Sequence, residues 1–229
     1  MKRVLFFLLL TISLAFAEWT CLYVSMDGDD ATGKIDSMHL PFATIEAALD
    51  SLKVSPNGQE DTVGVFVKAG EYAINTIVIS SKLNAYFIGT DDFTISQSPE
   101  RNSVEFYKKW NSTPVRITAA NRAINTRVEY DRYQGHGSDA SLITVGISFE
   151  NIPKCNVLFL SENLDVVDRD LAFYSCKFTN IGTEAGEANS IVRFEDNYLT
   201  LYNTVVSNNT LTNDLFYTKE AVYLTKCTI

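Results

Sequence analysis

A repeat in the second half of the chain constrains the fold more than any other feature. Phe149-Glu150-Asn151-Ile152 returns as Phe178-Thr179-Asn180-Ile181 and again as Val206-Ser207-Asn208-Asn209, and the register closes on Ile229. The steps are 29, 28 and 23 residues. Neighbouring positions keep the same offsets: Ile147, Cys176, Thr204 and Cys227 form one column, Phe173, Leu201 and Leu224 a second, and Leu171, Leu199 and Val222 a third. Strand-forming repeats of this length fit one circuit of a solenoid in which like residues stack at strand spacing, ~4.8 Å. The expected fold is therefore all-β, a right-handed parallel β-helix. Asn151, Asn180 and Asn208 fall at one turn position on successive circuits. Side-chain amides bond along such a column, and Asn tolerates left-handed backbone, so the three form an expected structural ladder.

The first half agrees. Val63, Val65 and Val67 alternate with Gly64, Phe66 and Lys68, and Ile77, Ile79 and Tyr86-Phe87-Ile88 follow, with turn-forming residues between the runs. One amphipathic helix is expected at about 42–52, with Ile45, Ala48, Leu49 and Leu52 on one face, Thr44 as N-cap and Glu46 in the first turn. It caps the apolar end of the first circuit. The pattern breaks at about 93–141, read as an irregular circuit bearing surface loops. Regular circuits resume over about 142–229. The last one stops inside a strand, so the chain is expected to be truncated or to meet an end-to-end partner.

Residues 1–17 read as a cleavable secretory signal. Lys2 and Arg3 precede the apolar run Val4–Ala17, which closes on Ala15-Phe16-Ala17 and is too short to span a bilayer. The functional chain is then 18–229, secreted or exposed at the cell surface, with no membrane insertion after cleavage. Losing Lys2 and Arg3 leaves 17 basic against 28 acidic residues, net −11. Such a balance excludes nucleic acid and anionic membranes as partners. Cys21, Cys155, Cys176 and Cys227 are too few for a disulfide scaffold, and Cys176 and Cys227 stand two circuits apart, beyond bridging distance. Asn111-Ser112-Thr113 and Asn208-Asn209-Thr210 are glycosylation sequons. Asn111 is expected to be accessible in its loop, and Asn208 hidden in its corner.

Leu22-Tyr23-Val24-Ser25, Asp27-Gly28-Asp29-Asp30, Pro41-Phe42-Ala43-Thr44-Ile45, Val65-Phe66-Val67-Lys68-Ala69-Gly70-Glu71-Tyr72 and Ile77-Val78-Ile79 together resemble the start of pectin lyase-like β-helix proteins, pectinesterases included. The later repeats resemble those of the same superfamily and of polymorphic outer-membrane or adhesin-type β-helices. The resemblance implies the fold, and with it either a polysaccharide lyase, hydrolase or pectin esterase or a non-catalytic surface protein. The enzymatic motifs depart from the family pattern. Ile88-Gly89-Thr90-Asp91-Asp92 only echoes the paired-aspartate segment of an esterase, and Gly135-His136-Gly137 lacks the basic motif that follows it in polygalacturonases.

Candidate chemistry is sparse. His136 with Asp131 and Asp139 is the one acid–base cluster, and a catalytic pair must come within ~3 Å of the transferred proton. Asp27, Asp29 and Asp30 carry hard oxygen donors suited to Ca²⁺, the only cofactor the residues suggest; the alternative is a turn in which they accept backbone hydrogen bonds. Tyr107, Trp110, Tyr130 and Tyr133 cluster in the irregular segment, where aromatic faces can stack on sugar rings or pack the loops onto the solenoid. The expected function is a non-catalytic, adhesin-like binding module that contacts glycans or cell-surface partners. The alternative is a carbohydrate-active enzyme of the pectin lyase-like group, and its mark is two carboxylates and a basic residue converging on one parallel sheet.

Overall fold

Short β-branched and aromatic runs separated by turn residues have one economical way to bury their apolar faces, which is to pair side by side and enclose them. A computed structural model describes residues 19–52, 61–79, 83–130, 141–161, 170–184, 190–194, 198–218 and 220–229. Among these residues seventeen strands, numbered in chain order, fall into three sheets whose strand pairings are all parallel. The first sheet runs β1 (Thr20–Val24), β2 (Asp61–Lys68), β5 (Leu83–Thr90), β8 (Leu142–Val145), β11 (Leu171–Tyr174), β14 (Leu199–Tyr202) and β17 (Val222–Thr225). The second holds β3 (Gly70–Ile74), β6 (Val115–Ala119), β9 (Ile147–Ile152), β12 (Lys177–Ile181) and β15 (Val205–Ser207). The third holds β4 (Thr76–Ile79), β7 (Arg127–Tyr130), β10 (Val157–Ser161), β13 (Ser190–Phe194) and β16 (Phe216–Thr218). From β2 onward the chain visits first, second and third sheet in turn, so strands three places apart pair, and β1 joins the first sheet beside β2. This order fits a β-helix.

The columns expected from the repeat are the observed register. Phe149 pairs with Phe178 and Phe178 with Val206. Phe173, Leu201 and Leu224 align, as do Leu171, Leu199 and Val222. Inward side chains of the three sheets meet in one core. There Phe149 and Phe178 stack at 5.4 Å between ring centroids, while Phe159 of the third sheet and Phe173 of the first meet them edge-on.

Two left-handed corners make the turns. Asn151, Asn180 and Asn208 have φ of 54°, 56° and 56° at the end of the second sheet, and the Asn180 Nδ2 donates to Asn151 Oδ1 at 3.0 Å. The ladder changes hands on the next circuit. There Asn209 makes the cross-circuit bonds, accepting from the Ile181 N–H (2.9 Å) and donating to the Phe178 carbonyl (3.1 Å). The other corner, between first and second sheet, turns from β8 onward on one left-handed residue: Gly146, Ser175, Asn203 and Lys226, with φ from 50° to 65°. The next residue in three of these circuits donates to a carbonyl of the preceding one. Cys176 Sγ reaches Thr144, Thr204 Oγ1 reaches Phe173, and Cys227 Sγ reaches Leu201. These thiols therefore act as buried or half-buried donors. No disulfide joins any of the four cysteines, and Thr204 separates Cys176 from Cys227 in the register.

The helix is shorter than its apolar face suggested: α1 covers Ile45–Asp50. Phe42 is held in a parallel bridge to Val24, and the Asp30 carboxylate takes the Ala43 and Thr44 N–H groups (2.7 and 2.9 Å), which fixes an extended approach. Thr44 then caps the helix, accepting from the Ala47 N–H at 3.2 Å. Ile45, Ala48 and Leu49 are buried in the core, against β1, β2 and β4. At the other end Val222 and Leu224, inward by alternation, are 38% and 48% exposed. No helix among the described residues is long and apolar enough to cross a membrane.

The corner geometry gives a prediction. Asn180→Ala loses a cross-circuit amide bond and places an ordinary side chain at positive φ, which lowers stability by about 1–2 kcal/mol. Asn180→Gly loses the bond without the strain and costs less. Urea unfolding of the two variants measures the difference, and equal stability of both with the parent contradicts the ladder.

Candidate functional site

The segment read as loop-bearing is in part a cover. Alternation in the first sheet sends Cys21, Tyr23, Phe66, Tyr86, Ile88, Val145, Ala172 and Tyr174 away from the core, into a second apolar cluster outside it. Two 3₁₀ turns (Phe93–Gln97 and Pro99–Asn102) and the short helix α2 (Val104–Tyr107) lie over these residues. Tyr107 sits at the centre, 1% exposed, between Tyr86, Phe106 and Tyr174, with ring centroids 5.7–6.3 Å away, and its hydroxyl donates to the Arg101 carbonyl. Gly64 has no side chain because a Cβ there would stand 2.7 Å from the rings of Phe66 and Trp19. Further along, β6 and β7 return the chain to the second and third sheets, so this circuit is complete rather than irregular throughout.

These facts relocate the proposed aromatic site. Tyr107 offers no face to a ligand. Trp110 is half-buried against the Gly146 corner, its carbonyl accepting from Ser175 Oγ, and its Nε1 is buried without a hydrogen-bond partner. Tyr130 ends β7, and Tyr133 lies outside the described residues. So do His136, Asp131 and Asp139, and the signal segment. Asn208 is exposed like Asn111, which corrects the expectation that the corner hides it: the left-handed turn points the side chain outward while the backbone packs. Asp29 accepts from Ala31 N–H and Thr32 Oγ1, and Asp30 from Ala43, Thr44 and the Thr44 hydroxyl. Both carboxylates tie down the loop that leads into the helix.

Two surfaces that leave no repeat in the sequence carry the remaining chemistry. Both lie on outward positions, whereas the repeat was read from the inward ones. On the second sheet one outward column runs Glu71, Arg116, Ser148, Lys177, and its neighbour holds Glu150. Arg116 pairs with Glu71 at 2.7 Å and Lys177 with Glu150 at 3.2 Å; Ser148 donates its hydroxyl to Glu150. Burial pushes the Glu150 carboxyl up, but the bonds from Ser148 and Lys177 and the Lys177 and Arg116 charges outweigh it and hold the group below its ordinary range.

On the first sheet the row of outer aromatic rings continues past the cover. Tyr174 is 4% exposed; beyond it come Tyr202, half-buried, and then Tyr198 and Tyr223 at 40% and 53%. Tyr198 and Tyr223 lie 6.0 Å apart between centroids, tilted by 32°. Lys226 donates to the Tyr202 hydroxyl (2.7 Å), its Nζ 5.0 Å from the ring centroid. Comparison with protein-family models, curated proteins and solved structures finds no match to this chain.

Burial raises the Tyr107, Tyr174, Tyr86 and Tyr23 hydroxyls and pushes Tyr72 up to about 12. A phenol whose folded pKa exceeds its unfolded value of ~10 contributes fully below that pH and loses the contribution as pH rises through the folded value. Tyrosine-linked stability is thus level up to about pH 10 and falls above it. Denaturation midpoints followed across alkaline pH, with tyrosinate absorbance of the folded chain, test this. Native tyrosines that all ionise near pH 10 contradict the packed cover.

Proposed function

We propose that the chain is an exported right-handed parallel β-helix of the pectin lyase-like kind. On this reading it works outside the cell or at its surface as a non-catalytic, adhesin-like module that contacts glycans. The sheet order, the left-handed corners and the matching of like residues in successive circuits support the fold. The observation that carries the binding reading is the open end of the outer aromatic row. The chain covers this row as far as Tyr174 and leaves Tyr198, Tyr202 and Tyr223 facing solvent.

The enzyme reading rests on the convergence of Glu71, Glu150, Arg116 and Lys177 on one parallel sheet. It is the weaker of the two because each carboxylate is bound to a cation. A general acid needs a raised carboxyl pKa, and Glu150 is displaced the other way.

Expression with secretion and N-terminal sequencing tests export, with Glu18 as the expected first residue. Turnover of polygalacturonate, methylated pectin and neutral polysaccharides, with and without Ca²⁺, is expected to be nil while binding to glycans is measurable. Turnover that Glu150→Gln abolishes overturns the binding module in favour of the enzyme.

A further inference from the structure

We infer that the ligand surface is the outer face of β14 and β17, and that it takes an uncharged chain of pyranose units stacked on Tyr198, Tyr223 and Tyr202. The inference rests on the glycan-contacting reading above and adds the face, the residues and the class of sugar.

The sequence treats the two halves of this face differently. Beneath the cover the outward residues include Phe66, Ile88 and Val145, which need a dry environment. On β14 and β17 alternation turns outward Thr200, Tyr202, Tyr223 and Thr225, with Tyr198 just ahead of β14. No aliphatic side chain larger than the Ala221 methyl stands among these outward positions. Such a face suits a partner that is itself apolar on its ring faces and hydroxylated at its rim. Tyrosine supplies an electron-rich face for axial C–H groups and a hydroxyl at its edge. Neighbouring strands fix the spacing. Tyr198 and Tyr223 are 6.0 Å apart, comparable with one sugar unit, and Tyr198 to Tyr202 covers four strand residues, roughly 13 Å at ~3.3 Å per residue, enough for more than one.

Charge selects a neutral ligand. Lys226 is engaged with Tyr202, and Lys108, which lies near Tyr174 and Tyr202, donates to Glu105 at 2.6 Å. Asp170 falls beside Tyr198 in the strand register, one residue ahead of β11, and is exposed. With a formal charge of −9 on the whole chain, a polyanion meets repulsion here and, among the described residues, no unengaged lysine at the rings. Sugars with equatorial substituents, as in β-linked glucans and xylans, present the flattest apolar faces.

The experiment titrates the exported chain with cello- and xylo-oligosaccharides by calorimetry, beside polygalacturonate and sulfated glycans. Three proteins are compared: the parent, the double variant Tyr198→Ala/Tyr223→Ala, and Tyr217→Ala, which removes an exposed ring from the third sheet. The expected result is binding of the neutral oligosaccharides that weakens by about tenfold or more in the double variant and is unchanged in Tyr217→Ala, with all three melting curves alike. Glycan binding unaffected by the double variant overturns the platform and leaves the binding module standing. Binding confined to the anionic glycans overturns the ligand class. A double variant that changes oligomeric state and not glycan affinity assigns the rings to contact with a second copy and overturns the proposal. No binding to any glycan overturns both the platform and the module.

Discussion

The structure depends on how one residue turns the chain from the first sheet to the second. From β8 onward a strand leaves the first sheet and the next begins in the second within one or two positions, and Gly146, Ser175, Asn203 and Lys226 each take left-handed backbone to do so. That conformation costs about 1–2 kcal/mol for a residue with a Cβ, so something must hold it. The holding groups are close by: Asn203 Nδ2 donates to Ser175 Oγ at 2.9 Å, and the residue after each of the three later corners donates to a carbonyl of the circuit before. Each of the three later corners is therefore locked to its predecessor, and the lock sets the height at which the next strand starts. Register follows from it, and the alignment of Phe149 over Phe178 and of Leu171 with Leu199 follows from register.

Two kinds of surface result. Alternation in a strand gives every inward residue an outward neighbour, and the three sheets use theirs differently. The second sheet spends its outward positions on paired charges and hydroxyls: Arg116 with Glu71, Lys177 with Glu150, and Thr179 with Ser207 at 3.1 Å. Exposed pairs of this type contribute little stability, typically 0–1 kcal/mol, but they keep a flat face soluble. The first sheet carries aromatic rings outward and needs the 93–107 segment over much of its length. Where that cover ends, the composition shifts to tyrosine and threonine. The proposed function follows from that boundary.

The core was legible in the sequence because stacking demands similar size at each level, which leaves a periodic trace at Phe149, Phe178 and Val206. The Asn corner was legible for the same reason, since few residues accept positive φ. The other corner was not: Gly, Ser, Asn and Lys share a conformation there and no chemistry, as local hydrogen bonds pay for it. The outward faces left no repeat, because solvent and neighbouring side chains tolerate variation. Glu71 and Arg116 therefore looked unrelated, although they are adjacent across β3 and β6. Tyr107 and Trp110 were legible as a cluster but not as an interior one. Only the second apolar face, made by residues as distant as Tyr23 and Tyr174, turns that segment into a cover.

In-register stacking is the central claim, and cross-linking on the outer face of the second sheet tests it directly. Thr179 and Ser207 are register neighbours on β12 and β15, and Glu150 on β9 is one strand beyond Thr179. A disulfide needs Cα atoms within about 7 Å, which adjacent strands at ~4.8 Å satisfy and strands twice that far apart do not. Mild oxidation of Thr179→Cys/Ser207→Cys should give an intramolecular bridge between those positions on a non-reducing peptide map, and Glu150→Cys/Ser207→Cys should give none. A bridge in the second variant and none in the first would contradict the order of strands, and with it the account of the fold.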